Sequence, residues 1–129
     1  MQQHLPSALT DPLAVLPGLD ARIGRASTGG NEQLYRRLLR MFCASQRDAV
    51  EQFQAARARG DVREAKRIAH NLRTLSASLG MTALAPVSRC LETACDDDLG
   101  DDAKLAPLLA DVARALAGVL AGLDALHAV

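Results

Sequence analysis

The sequence has very few aromatic residues and no net charge. Only 2% of its 129 residues are aromatic, with one Tyr, two Phe and no Trp, and its 15 basic and 15 acidic residues cancel. Proteins that hold single-stranded nucleic acid stack bases on aromatic side chains, and proteins that bind the phosphate backbone carry an excess of Lys and Arg. The composition therefore argues against a nucleic-acid-binding protein.

The sequence also lacks the signatures of several other classes of protein. Its cysteines are odd in number and have no metal-ligand spacing, which indicates a reducing cytoplasm; they are Cys43, Cys90 and Cys95. It contains no glycine-rich nucleotide-binding motif, so we expect no ATP site. The Leu-rich C-terminal segment is interrupted by charged residues such as Asp111 and Arg114, so we predict no membrane contact by this chain.

What the sequence does contain is helical. Alanine and leucine dominate, long β-branched runs are absent, and a hydrophobic content of 49% is enough for one core. Long amphipathic helices joined by short links predict an all-α fold, an antiparallel up-and-down four-helix bundle with an extra short N-terminal helix on one end. The predicted helices are the short one over 19–26 and the long ones over about 31–59, 61–80, 82–95 and 102–126. Asn31 is predicted to cap the first long helix. The partner face of the last helix is predicted to consist of Leu105, Leu109, Val112, Leu116, Val119, Leu123 and Leu126. Residues 1–16 are predicted to be a linker or flexible tail, and residues 17–129 the bundle domain.

The helix over 61–80 carries a histidine on its outer side. Asp61 and Glu64 form a capping box at its start, and Gly80 is a left-handed stop at its end. Its apolar residues fall within a stripe roughly 60° wide that we expect to be buried; they are Ile68, Leu72, Leu75 and Leu79. His70 lies about 190° from the centre of this stripe. We therefore expect His70 to face solvent.

The surroundings of His70 suit the acceptance of an anionic group. The same face is predicted to hold cations and small side chains, namely Arg63, Lys66, Arg67, Arg73, Thr74 and Ala77. The only acid of the helix, Glu64, projects to another side, so we expect no carboxylate to hold the imidazole. The cations favour a neutral, nucleophilic ring and any dianion attached to it. Such a nucleophile, with no base or cleft of its own, suits a partner that brings the other catalytic groups.

Residues 69–73, AHNLR, continuing to Gly80, resemble the signature of histidine-containing phosphotransfer (HPt) domains. The resemblance extends over about residues 16–125 and departs from the family pattern at Arg73, where Lys is commoner, and at Thr74, where Gly is usual. Arg73 keeps the charge, whereas Thr74 is bulkier beside the histidine. The flanking matches are Leu16-Pro17-Gly18-Leu19-Asp20, Gly30-Asn31, Leu34-Tyr35, Leu38-Leu39 and Phe42 before the motif, and Leu84 and Leu91-Glu92 after it.

The resemblance implies a phosphocarrier in a two-component phosphorelay, rather than an enzyme. His70 would accept a phosphoryl group from the aspartyl phosphate of a response-regulator receiver domain and pass it to another receiver. Arg73 and Lys66 would stabilise the phosphoryl group or attract the receiver, and Arg63, Arg67, Thr74 and Ala77 would face it. The domain would need no cofactor of its own, because the receiver supplies Mg²⁺. The segment 16–20 favours an origin at the C-terminus of a hybrid sensor histidine kinase, so the expected location is cytoplasmic, including the cytoplasmic end of a membrane-bound kinase. A monomer is the simplest state.

Three alternatives belong to other classes. A non-phosphorylated interaction module that docks receivers or kinases is supported by Thr74. A hydrolytic or metal enzyme would have to use His70 with His4 or His127, and these two lie at the termini. A sensor-kinase dimerisation domain needs an acidic residue directly after its histidine, where this chain has Asn71.

Overall fold

Helices make up most of the structure. The computed structural model describes residues 11–98 and 101–127, and within these two ranges it contains no strand. A 3₁₀ turn at Pro12–Val15 precedes six α-helices, which confirms the predicted all-α class. The helices are α1 Ala21–Ser27, α2 Glu32–Gln46, α3 Ala49–Ala58, α4 Val62–Ser78, α5 Leu84–Asp98 and α6 Asp102–His127.

The predicted caps fix where two of the helices begin. The Asn31 carboxamide accepts a hydrogen bond from the Leu34 amide at 3.0 Å, and the Asp61 carboxylate accepts one from the Glu64 amide at 3.1 Å. These bonds satisfy amides that have no partner inside the helix. Gly80 follows α4 with φ of +80°, a conformation that favours glycine. The helix that carries His70 therefore has the limits that its sequence predicts, within two residues.

The helices pack in a ring around one apolar core. α4 lies against α3 and α5, α5 lies against α6, and α6 returns to contact α2 and α3. Burial of each large side chain stabilises the fold by about 1.5–3 kcal/mol. Six of the seven residues predicted for the inner face of α6 are buried, namely Leu105, Leu109, Val112, Leu116, Val119 and Leu123, and the seventh, Leu126, is partly buried against the core.

The first long helix is interrupted, although the sequence predicts one helix over about 31–59. α2 ends at Gln46 and α3 begins at Ala49, because Asp48 leaves helical geometry with φ of −102° and ψ of 19°. Aspartate is a poor residue for a helix interior. At the same break the Arg47 guanidinium donates two hydrogen bonds to Asp124 of α6, at 3.0 and 2.8 Å.

The N-terminal segment packs on the domain from residue 11, whereas the sequence predicts a tail over residues 1–16. Leu13 is buried and the Asp11 carboxylate binds Arg25 at 2.8 Å. The short helix also differs from the prediction over 19–26, because α1 begins at Ala21 and leaves Ile23 exposed, while the buried Leu19 precedes it. The remaining predicted tail, residues 1–10 with His4, lies outside the described residues.

α1 and its flanks cap the C-terminal end of α4. The Ser27 hydroxyl donates to the Ser78 carbonyl at 2.7 Å, and the buried Tyr35 hydroxyl donates to the Leu79 carbonyl at 2.9 Å. The Asp20 amide donates to the Gly80 carbonyl at 2.7 Å. Since the last carbonyls of a helix have no partner within it, these three bonds fix the end of the helix that carries His70.

α6 has the length and composition of a membrane-crossing helix. Of the helices in the described ranges, only the segment Asp102–Leu126 passes that test. The core helix of a soluble protein can pass the same test. The leucines and valines of α6 named above are buried in the core, and 33% of its apolar window is buried in all.

Candidate functional site

His70 lies on the outer side of α4, as its helical position predicts. Its side chain is 52% exposed, while Ala69 and Leu72 beside it on the helix are buried in the core. The difference follows from the 3.6-residue period of the helix, which turns His70 away from the residues that pack against α3 and α5. A partner domain can therefore reach the imidazole without any movement of the backbone.

The imidazole is held by a carboxylate from the next helix. Nδ1 of His70 lies 2.6 Å from an Oε2 atom that belongs to Glu92 of α5. An ionised carboxylate only accepts hydrogen bonds, so Nδ1 carries the proton in this contact. In the neutral ring the lone pair then belongs to Nε2. The arrangement presents Nε2 as the nucleophilic atom of an oriented ring.

The same carboxylate also binds Arg73. The second oxygen of Glu92 accepts a hydrogen bond from the Nε atom of Arg73, one turn along α4 from His70. Burial raises the pKa of Glu92, but the hydrogen bonds from His70 and Arg73 outweigh this effect and lower it below its usual value. Glu92 is therefore ionised at neutral pH and bridges the two residues.

The prediction that no carboxylate would hold His70 is wrong. The prediction rested on the acids of the histidine's own helix alone, whereas Glu92 lies on the next helix. The Glu92 side chain is only 19% exposed and belongs to the site. Glu92 is 22 positions from His70 in sequence, so the spacing of residues on one helix could not predict this contact. The family flank Leu91-Glu92 was the one signal that pointed to it.

Arg73 and Lys66, the two cations expected to act on the phosphoryl group, differ in how firmly they are held. Arg73 is hydrogen-bonded to Glu92, as described above. The Lys66 ammonium lies 4.0 Å from an Asp96 carboxylate oxygen on α5, which is too long for a hydrogen bond. Lys66 is therefore attracted to α5 without being fixed there.

The residues predicted to face a partner lie at the surface, and they differ in whether their side chains are hydrogen-bonded. Arg67 donates two hydrogen bonds of 2.7 Å to Glu64, whereas Arg63 and Ala77 are exposed. The Thr74 hydroxyl donates to the His70 carbonyl at 3.0 Å, so this hydroxyl is occupied within α4. The threonine still adds bulk one turn from the histidine.

Leu75 was predicted to be buried, and this is wrong. Its side chain is 37% exposed and lines an apolar hollow of about 270 Å³ between α2 and α4. Leu38 and Met41 of α2 form the opposite wall. Leu75 lies at the edge of the predicted stripe, where the separation of the two helices decides whether a side chain is covered. The other three residues of the stripe, Ile68, Leu72 and Leu79, are buried.

None of the three cysteines belongs to a disulfide. Cys43 and Cys95 are buried, Cys90 is exposed, and all three are free thiols. Burial raises the pKa of the Cys95 thiol to about 11. Across residues 11–98 and 101–127 no three His, Cys, Asp or Glu side chains are grouped closely enough to hold a metal ion.

The family of the chain follows from a comparison with protein-family models. Residues 37–128 match the Hpt domain, which is 92 of the 129 residues. The chain therefore belongs to the Hpt domain family, and the resemblance seen in the sequence is confirmed. No curated protein and no solved structure matches the chain.

Membership of this family defines the general role of the chain. Hpt domains carry phosphoryl groups in two-component signalling, are phosphocarriers rather than catalytic enzymes, and interact with response-regulator receiver domains. They are typically soluble cytoplasmic domains. The match begins at Arg37, so α1 and the first turn of α2, which cap the histidine helix, lie before the matched residues.

Proposed function

We propose that His70 is the phosphoacceptor of a phosphorelay. It accepts a phosphoryl group from the aspartyl phosphate of one receiver domain and passes the group to the aspartate of another. The observation that carries this proposal is the contact between Nδ1 of His70 and Glu92, which leaves Nε2 on an exposed ring as the nucleophile. Membership of the Hpt family supports the same role.

The transfer needs little from this chain beyond an oriented nucleophile. The Nε2 lone pair attacks phosphorus, an N–P bond forms, and the P–O bond to the aspartyl carboxylate breaks with its electron pair on the carboxylate. The ring gains positive charge as the bond forms, and the Glu92 carboxylate stabilises that charge through Nδ1–H. The reverse sequence delivers the phosphoryl group to the next receiver.

The cations around the histidine act on the phosphoryl group and on the receiver. Lys66 and Arg73 flank His70 along α4 and favour the phosphoryl dianion attached to it. Arg63, Arg67, Thr74 and Ala77 form the surrounding surface that the receiver covers. The receiver supplies Mg²⁺, and this domain uses no cofactor of its own. An acidic pocket on the receiver would be attracted by the same cations.

The architecture that suits this role is an antiparallel up-and-down four-helix bundle. α2 and α3 together would form its first helix, followed by α4, α5 and α6. The short connections and the ring of helix contacts support this arrangement. We infer a monomer that works in the cytoplasm, either as a free-standing carrier or as one domain of a hybrid sensor histidine kinase.

The proposal is tested by a change at the histidine. We expect His70→Gln to leave helical content unchanged and to abolish acid-labile labelling by a receiver that carries radiolabelled aspartyl phosphate. The control is a variant with His4→Gln and His127→Gln, which removes the only other histidines. This control should accept label like the unaltered chain. Labelling of the His70→Gln variant would contradict the proposal.

A docking module that is never phosphorylated is the second candidate. It is favoured by Thr74, which stands beside His70 where the family usually has glycine. Such a module would bind a receiver, as the unaltered chain should, but would accept no label in the same assay. The labelling experiment therefore separates the two functions.

A further inference from the structure

Two acids of α5 face the basic side of α4 in different ways. Glu92 and Asp96 are one turn apart on α5, and each lies beside a cation of α4. Glu92 is mostly covered and hydrogen-bonded to Arg73. Asp96 has a 67% exposed side chain and lies 4.0 Å from the Lys66 ammonium. The first pair is rigid, and the second is a loose electrostatic contact in solvent.

Lys66 is placed to reach a group on His70. The two residues are four positions apart on one face of α4, so their Cβ atoms are about 5–6 Å apart. Side chains on a helix lean toward its N-terminus, so the His70 ring is directed toward the turn that carries Lys66, while the flexible Lys66 side chain has to fold back to meet it. A lysine side chain has a flexible stem of four methylene groups and a compact charge at its end. It can move from Asp96 to a phosphoryl oxygen without any change in α4.

Arg73 and Arg67, the other two cations within about one turn of His70, are less able to make that movement. Arg73 would have to leave Glu92 and expose the partly buried carboxylate that also holds His70. Arg67 would have to break two hydrogen bonds of 2.7 Å with Glu64. Lys66 gives up only a contact that is too long for a hydrogen bond. Moving Lys66 away from its acidic partner therefore costs less free energy than moving Arg73 or Arg67 away from theirs.

We propose that Asp96 is a positioning residue that holds the Lys66 ammonium beside α5 in the unphosphorylated domain and releases it to the phosphoryl group on His70. This inference rests on the proposed function of His70. Asp96 and the phosphoryl group compete for one cation, so Asp96 lowers the free-energy gain of phosphorylation. The competition keeps the phosphorylated domain from being too stable to pass its group to the next receiver.

The test is the equilibrium constant for phosphoryl exchange with a labelled receiver. Exposed ion pairs contribute about 0.2–1 kcal/mol, which corresponds to roughly 1.5- to 5-fold in an equilibrium constant. We expect Asp96→Asn to raise the equilibrium constant toward the phosphorylated domain by a factor in that range, and Lys66→Gln to lower it. A change in docking or in transfer rate does not move this constant, whereas the proposed competition does.

The chain contains a matched control pair. Asp97 follows Asp96 and lies 3.7 Å from Lys104, with a similar exposure of 62%. Asp97→Asn and Lys104→Gln make the same charge changes away from His70 and should leave the constant near its original value. Circular dichroism of all four variants checks that they are folded.

A double variant decides whether Asp96 acts through Lys66. In the Lys66→Gln background, the effect of Asp96→Asn should shrink to that of Asp97→Asn. If Asp96→Asn matches Asp97→Asn in the unaltered background, or keeps its full effect without Lys66, the inference is wrong. If the unaltered domain accepts no label at all, the proposed function itself fails, and that outcome is distinct from both.

Discussion

Glu92→Gln is the variant that probes the site most directly. The substitution preserves the size of the side chain and removes its charge. A glutamine can accept from Nδ1–H through its oxygen, or donate to Nδ1 through its amide, which would move the ring proton to Nε2. Since Nε2 is the proposed nucleophile, part of the domain would hold the ring in the unreactive tautomer. The ring would also lose the carboxylate that stabilises its developing positive charge.

The expected loss follows from the geometry of the contact. A hydrogen bond to a charged group contributes about 1.5–3 kcal/mol, and the half-exposed ring reduces this through solvent screening to about 1–2 kcal/mol. Release of Arg73 from Glu92 adds a free cation beside the phosphoryl group and offsets part of the loss. At about 1.4 kcal/mol for each tenfold change in rate, we expect transfer to slow by roughly 5- to 30-fold.

The assay is single-turnover transfer from a saturating, labelled receiver. Saturation removes differences in docking, so that the rate reports the chemical step. Glu51→Gln, at an exposed acid of α3, makes the same chemical change away from the site and should transfer at the original rate. A Glu92→Gln variant that transfers within about twofold of the unaltered domain would refute the role that we assign to this carboxylate.

Two further predictions concern the neighbours of the histidine helix. Tyr35→Phe removes the buried hydrogen bond to the Leu79 carbonyl, so we expect a loss of about 1–2 kcal/mol and a fall of several degrees in the melting temperature by circular dichroism. An unchanged melting temperature would show that this bond does not stabilise the cap. Thr74→Gly should speed transfer from a receiver if the threonine crowds its approach, while the helix propensity of glycine, lower even than that of threonine, costs stability. An equal rate would show that the side chain leaves the receiver enough room.

The electrostatics of the site are more balanced than a row of cations on one helix suggests. Glu92 forms an ion pair with Arg73, Glu64 forms one with Arg67, and Asp96 attracts Lys66. A phosphoryl group on His70, as proposed, would therefore enter a site where these three cations already have acidic partners. This arrangement suits a carrier that must both accept and release its group, because each partner can take its cation back.

The exposed position of His70 could be predicted from the sequence because it depends only on the helical period. The same is true of the caps at Asn31 and Asp61, and of the inner face of α6. These features arise from residues close together in the chain, and their outcome is the same whichever helix packs beside them.

The contacts of His70 could be known only from the tertiary structure. Glu92 is 22 positions from His70, and only the rotation and register of α5 against α4 bring its carboxylate to Nδ1. A shift of one residue in either helix would turn Glu92 by about 100° and remove the contact. The exposure of Leu75 depends in the same way on the distance between α2 and α4. Local periodicity thus determined the all-helical class and which face of α4 carries His70, while the packing of separate helices decided which atoms hold its ring.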